Sequence, residues 1–167
     1  YMQQDKTEMQ TAGQLSEIRG FPIGTGKAHL RDVEQYIIDK YLGLPYRHRG
    51  RSLEGFDCWG FLKFVYADLG VRLFDIEDLE YSKIWGAQGK DYFKEHYFHD
   101  WVSVKTPEML DGVLFVNSRR IANHAGIILS HGRFIHCARP GVIISRINDP
   151  SWQAKIEGFY RLKDKIC

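Results

Sequence analysis

Residues 55–70 read GFDCWGFLKFVYADLG, and how this stretch folds decides the fold of the chain. From Cys58 onward it is dense enough in apolar residues to form a buried helix, running to about Leu69 and stopping at Gly70. Glycine readily takes the left-handed conformation that follows a helix end. A cysteine therefore stands at the mouth of the helix, with Asp57 before it and Trp59 after it. A free cysteine is ordinarily a small buried hydrophobe. At the first turn of a helix, however, the thiol lies near unpaired N–H groups and the positive end of the dipole, which favours the thiolate. Those same amides can donate to an oxyanion on a substrate carbonyl. Cys58 is thus a candidate nucleophile.

A cysteine nucleophile needs a base, and the base needs a group to orient it. The candidates are the histidines of residues 123–137, NHAGIILSHGRFIHC. If 124–129 and 133–137 pair as a hairpin, loop length decides which residues meet. A two-residue loop, His131-Gly132, sets Ile127 opposite His136 and turns His124 to the other face. A three-residue loop, Ser130-His131-Gly132, with Gly132 in the left-handed bulge position, sets Gly126 opposite His136 instead. His124 then becomes a diagonal neighbour of His136 on the same face, roughly 7 Å away, and Gly126 leaves room for both rings. Gly132 stands where the three-residue loop needs it. His131 falls at the loop tip, toward solvent, and Cys137 points away from His136, into the core.

Farther out, residues 29–43, HLRDVEQYIIDKYLG, place Leu30, Val33, Ile37 and Tyr41 on one helical stripe with Gly43 as the stop. Residues 44–55 form a loop rich in turn residues. Residues 74–105 are read as short helices and loops covering one side of the core. After Pro107 the short runs GVLFV, HAGIILS, GRFIHCA and GVIISRI predict an antiparallel meander. Helices first and strands later make the fold class α+β, with the Cys58 helix packed on an antiparallel sheet. Residues 1–20 are polar and are read as an N-terminal arm; residues 21–167 are read as one domain, in keeping with a length of 167.

Composition narrows the function. At 44% hydrophobic and 14% aromatic residues, a core forms without disulfides or a structural metal. The net charge is +2 and the basic residues are scattered apart from RHRGR and SRR, so no nucleic-acid footprint is indicated. The three cysteines form no C-x-x-C pair, which argues against a disulfide framework or a thiol-zinc cluster. GTGK at 24–27 lacks the spacing of a phosphate loop, and HYFH at 96–99 lacks the glutamate and second ligand pair of a zinc site. No run of 18 apolar residues predicts a membrane span. The first twenty residues have neither the basic nor the apolar region of a signal peptide; a chain starting with Tyr fits a trimmed product, which leaves export open.

Together, residues 42–66 (LGLPYRHRGRSLEGFDCWGFLKFVY), 110–116 (LDGVLFV) and 123–138 (NHAGIILSHGRFIHCA) resemble the NlpC/p60 branch of papain-like cysteine peptidases, over about residues 34–162. Five elements occur in the family's order: Pro-Tyr and a Gly-containing loop, Asp-Cys-x-Gly at a helix start, a strand near Asp-Gly, His-x-Gly opening a strand, and a polar residue on the next. The resemblance implies that Cys58 is the nucleophile, His124 the base and His136 the residue that orients it. It implies hydrolysis of amide bonds in peptidoglycan stem peptides, commonly between D-glutamate and the diamino acid, with no cofactor and no metal. Tyr46 and Asp57 fall where such enzymes border the substrate groove. Trp59 replaces the usual Ser, adding a large flat surface there, and Asp-Cys-Trp-Gly with the ending INDPSWQAKIEGFYRL looks more like the phage and prophage tail branch. The implied partners are peptidoglycan and phage-tail or cell-envelope proteins, and the implied location is periplasmic, extracellular or virion-associated. Two rivals are a non-catalytic subunit of a tail or cell-wall assembly and another acyl-transfer enzyme on the same fold.

Overall fold

The computed structural model describes residues 27–75 and 88–163. The N-terminal arm expected at 1–20 and most of GTGK lie outside the described residues. Helix α1 (Lys27–Tyr41) buries Val33, Ile37 and Tyr41 of the expected stripe, whereas Leu30, in the first turn, is 42% exposed, and the chain leaves the helix through Gly43 at φ 84°. Strands β1 (Arg51–Ser52) and β2 (Gly55–Phe56) pair as a small hairpin that delivers the chain to helix α2 (Cys58–Asp68). The Asp57 side chain accepts from the Gly60 N–H at 2.7 Å, so one of the orphan donors of the first turn is capped. Gly60 answers a steric demand. A Cβ there would sit 2.1 Å from the Gly50 carbonyl oxygen, so only glycine lets the first turn seat against the 47–50 loop. The helix ends at Leu69 and Gly70, the latter at φ 78°, where the sequence places its stop. At that end, Tyr41 and Lys40 of α1 both donate to Asp68 Oδ2 at 2.6 Å, fastening the two helices together.

The main sheet has six antiparallel strands in the order β3-β8-β4-β5-β6-β7. They are β3 (Trp101–Val104), β4 (Gly112–Val116), β5 (Ala122–Ile128), β6 (Arg133–Cys137), β7 (Val142–Arg146) and β8 (Ile156–Leu162). Strands β4 to β7 are the predicted meander. Residues 101–104, expected within a segment of helices and loops, are instead an edge strand on β8. Its aromatic surroundings masked it: Trp101 stacks on Phe98 with ring centroids 4.8 Å apart and meets Tyr66 of α2 edge-on. A π-helical turn (Phe93–Tyr97) precedes it, and a short helix α3 (Pro150–Gln153), capped by Asp149, leads into β8.

Side chains alternate across the sheet. Leu114, Ala125, Ile127, Ile135 and Cys137 pack with Phe61, Leu62 and Val65 of α2 in the larger core. Val113, Phe115, Ile128 and Phe134 gather in a smaller cluster that Trp152 covers. Cys137 is 1% exposed, in the core as expected, and His131 is exposed at its loop tip. In the β5–β6 hairpin Ile127 pairs with Ile135 and Ile128 with Phe134, so Gly126 faces His136, the register of the three-residue loop. The turn differs in one detail. Both His131 (φ 58°) and Gly132 (φ 67°) are left-handed, and the Leu129 N–H donates to the Arg133 carbonyl, so Ser130 is the extra residue that shifts the register.

Candidate active site

The register brings two imidazoles together. His124 Nε2 lies 2.7 Å from His136 Nδ1, and the rings are T-shaped with centroids 4.9 Å apart. Gly126 between them is required at this spacing, since a Cβ there would meet Phe134 at 3.0 Å and the His136 Cβ at 3.2 Å. On its other side His136 Nε2 lies 3.0 Å from Ser145 Oγ. The pair thus becomes a relay of three residues on one sheet face. If His124 is to take a proton at Nδ1, its neutral form carries the hydrogen on Nε2 and donates to His136 Nδ1; His136 then donates from Nε2 to the Ser145 hydroxyl. Both hydrogen bonds are satisfied by one tautomer set.

Cys58 opens α2, half-buried, and the Ala125 N–H, the amide directly after His124, favours its charged form. Helix α2 packs on strand β5. The thiolate expected from the helix terminus is not the resting form. Burial pushes the Cys58 thiol well above its ordinary value and the adjoining Asp57 carboxylate adds to this, outweighing the Ala125 N–H and the Arg51 guanidinium. His124 is held down at about 4 by burial and by the Lys155 charge. His136, with no exposed surface, is lowered to about 3 by burial and by the neighbouring His124. At neutral pH the site therefore rests as a neutral thiol beside neutral imidazoles. Trp152 is one physical cause: it stacks on the His124 ring at 5.6 Å and meets His136 edge-on at 4.7 Å, covering part of the first, while the second has no exposed surface.

The other expected site residues divide. Tyr46 is half-buried and electrostatically coupled to Cys58, with the Arg139 guanidinium 5.2 Å from its ring centre. Asp57 does not face substrate. Both of its oxygens are engaged, Oδ1 by the Gly60 N–H and Arg51, Oδ2 by the Arg49 N–H, so the carboxylate builds the helix mouth. Trp59 is a further correction. At 2% exposed it is a core residue against Phe93 and Phe98, because its position on the first turn points inward toward the π-helical turn. Ser145 and Trp152 escaped the sequence reading. The signal for Ser145 was a hydroxyl within the apolar run VIIS, diagonal to His136 across β6 and β7. Of the H-x-x-H pair, His99 lies 3.1 Å from Asp100, and among the described residues no three His, Cys, Asp or Glu side chains are grouped to hold a metal.

Comparison with known proteins agrees with this architecture. The family model described as NlpC/P60 family matches residues 43–161, which contain the helix mouth and both strands of the histidine pair. The probable endopeptidase YafL of Escherichia coli is 30% identical over 153 residues, covering 89% of this chain and 56% of that protein. The probable peptidoglycan endopeptidase LytE of Bacillus subtilis is 28% identical over 120 residues, 72% of this chain and 31% of that one. The chain thus spans about half of the first relative's length and less of the second's. A solved NLP/P60 family protein of Staphylococcus aureus, similar to a lipoprotein, superposes with a TM-score of 0.57 at 19% identity, over 86% of this chain and 44% of that one. With a family model matching more than two thirds of the sequence, and a cysteine at a helix mouth set against a histidine pair on the adjoining sheet, the chain belongs to the NlpC/P60 family.

Proposed function

We propose that this protein is a cysteine endopeptidase that hydrolyses amide bonds of peptidoglycan stem peptides, with Cys58 as nucleophile, His124 as base and His136 as the residue that orients His124. The observation that carries the proposal is the hydrogen bond from His124 Nε2 to His136 Nδ1. It engages one imidazole nitrogen and leaves Nδ1 for the thiol, which is electrostatically coupled to the next amide along the same strand. Relatives named as endopeptidases, one of them a peptidoglycan endopeptidase, support the substrate class. A cell-wall substrate requires a location outside the cytoplasmic membrane, and no helix among the described residues is long and apolar enough to cross a membrane.

The chemistry follows from the neutral resting pair. As the substrate carbonyl approaches, the Cys58 S–H proton passes to His124 Nδ1 and the sulfur adds to the carbonyl carbon. The Gly60 and Phe61 amides are taken up by Asp57, and the Cys58 N–H, at the positive end of α2, is the first-turn donor we assign to the oxyanion. His124 returns its proton to the nitrogen of the scissile bond, the C–N bond breaks, and a thioester remains. Water then attacks the thioester, giving its proton to His124, and the acid leaves as Cys58 is reprotonated. His136, hydrogen-bonded to Ser145, stabilises the transient charge on His124 without itself changing partner.

Digestion of purified peptidoglycan with identification of the released muropeptides tests the proposal. A free amine and a free carboxyl at a stem-peptide bond, lost in Cys58→Ala, is the expected result. Digestion undiminished in Cys58→Ala would overturn the mechanism. A transferred acyl group would make this an acyltransferase instead.

A further inference from the structure

The mouth of α2 puts a carboxylate immediately before the proposed nucleophile, where it opposes negative charge on sulfur. Asp57 is 5% exposed, and next to burial its charge does most to hold the Cys58 thiol neutral at rest. Attack asks the sulfur, and then the substrate carbonyl oxygen, to turn negative beside this carboxylate.

Arg51 offsets that charge. Its Nη1 donates to Asp57 Oδ1 at 2.8 Å and to the Gly50 carbonyl at 2.9 Å, and its Nε donates to Asp75 Oδ2 at 2.9 Å. Lys63 of α2 donates to the same Asp75 oxygen at 3.0 Å. Two carboxylates, with side chains only 7% and 4% exposed, are thus matched by two cations, and the guanidinium is held from both sides. It lies against the first turn itself: a Cβ on Gly60 would stand 2.8 Å from Nη1. The helix dipole is positive there, so the place is an unfavourable one for a cation. Capping does not call for it, because an aspartate at the N-cap satisfies the turn by itself. What a cation there does favour is negative charge forming at Cys58, two residues before Gly60.

We infer that Arg51 is a positioning residue for the nucleophile: it bridges Asp57 and Asp75, holds the first turn of α2 and cancels the carboxylate beside Cys58, so that sulfur can turn negative as it attacks. The role of Cys58 is taken from the hydrolase proposal. Other titratable groups at the site do not supply this charge. Tyr46 and Cys137 are raised by burial and stay neutral. His124, lowered to about 4, is neutral until it takes the thiol proton. Arg139 is directed to the Tyr46 ring.

Alkylation of Cys58 by iodoacetamide, followed from about pH 6 to 9 by mass spectrometry of its own peptide, tests this without any substrate. Arg51→Gln is expected to slow labelling at neutral pH about 10-fold and to move the rate profile upward by about one pH unit, as an equal rise in thiol pKa would. Arg51→Lys, which keeps the charge, should recover most of the rate. Asp57→Asn still offers an oxygen to the Gly60 N–H. Adding Arg51→Gln to it should change the rate less than about 2-fold, since no carboxylate is left to cancel. Unchanged labelling in Arg51→Gln would overturn the inference. So would a loss of the same size in the Asp57→Asn background, because Arg51 would then act through packing alone. Where Arg51→Gln does not fold, the other variants decide. Labelling near the original rate in Arg51→Lys, with the double variant matching Asp57→Asn, supports the inference; a loss of about 10-fold in either comparison overturns it. Failure here leaves the hydrolase proposal standing. Labelling as expected, in a protein that does not digest peptidoglycan, keeps the role of Arg51 at the thiol and removes the hydrolase reading.

Discussion

Among the proposed catalytic side chains, His136 has the least freedom: it has no exposed surface, one nitrogen on His124 and the other on Ser145. An orienter need only hold one hydrogen bond, so chemistry of similar shape should substitute in part. His136→Asn is expected to lower kcat/KM by about 10-fold, because the amide oxygen still accepts from His124. His124→Ala, which removes the proton carrier, is expected to cost about 10³-fold or more. Ser145→Ala leaves the His136 N–H buried without its acceptor, and should lower kcat severalfold with a detectable change in imidazole tautomer by nitrogen NMR. Steady-state kinetics of the three variants check the order; equal loss in His136→Asn and His124→Ala would give His136 a different role. The two described thiols give a second residue-scale contrast. Cys58 is half-buried beside a base, while Cys137 is buried with its S–H donating to the Phe56 carbonyl at 3.0 Å. Iodoacetamide at neutral pH should therefore label Cys58 first, and His124→Ala should slow that labelling because the proton acceptor is gone. Equal rates at the two cysteines would contradict the site.

At the scale of elements, much of the site was legible in the sequence because it follows from periodicity and turn chemistry. The α2 limits, the Gly70 stop and the β4–β7 meander come from local patterns, and the hairpin register from counting residues across 130–132. What escaped depended on distant contacts. Strand β3 exists because β8 offers it an edge, and Trp152 matters because α3 carries it over two rings that are separated from it in sequence. The direction of Trp59 likewise depends on Phe93 and Phe98, which no local pattern reveals. Gly126 connects the element scale to chemistry. Replacing it with Ala asks Phe134 and the His136 Cβ to yield by a few tenths of an ångström, and they are packed between Trp152 and the sheet. Small displacements of positioned groups are costly in rate, so Gly126→Ala should lose about 10- to 100-fold in kcat while still unfolding cooperatively. A variant with full activity would show that the strand spacing does not govern the imidazole pair.

Over the whole molecule, the same burial that prepares the site makes the fold sensitive to acid. An unfolded chain protonates its imidazoles near pH 6.5, whereas in the fold His124 waits until about 4 and His136 until about 3. Between those limits the unfolded state binds more protons, so stability is complete above about pH 6.5 and is lost as pH falls toward 4. Carboxylates enter later. Burial pushes Asp75 upward, but Arg51 and Lys63 more than offset it and hold its carboxyl below the usual range, so its contribution fades at lower pH than that of the histidines. Thermal melts between pH 7.5 and 4.5 should accordingly show a falling Tm, with most of the decline below pH 6.5. The decline should be shallower in the His124→Gln/His136→Asn double variant, which has no imidazole left to protonate on that face. The comparison is one of slopes, so a uniform loss of stability in the variant does not blur it. Parallel slopes in the two proteins would mean that the acid sensitivity resides elsewhere in the fold and that the histidine pair is not held neutral by its burial.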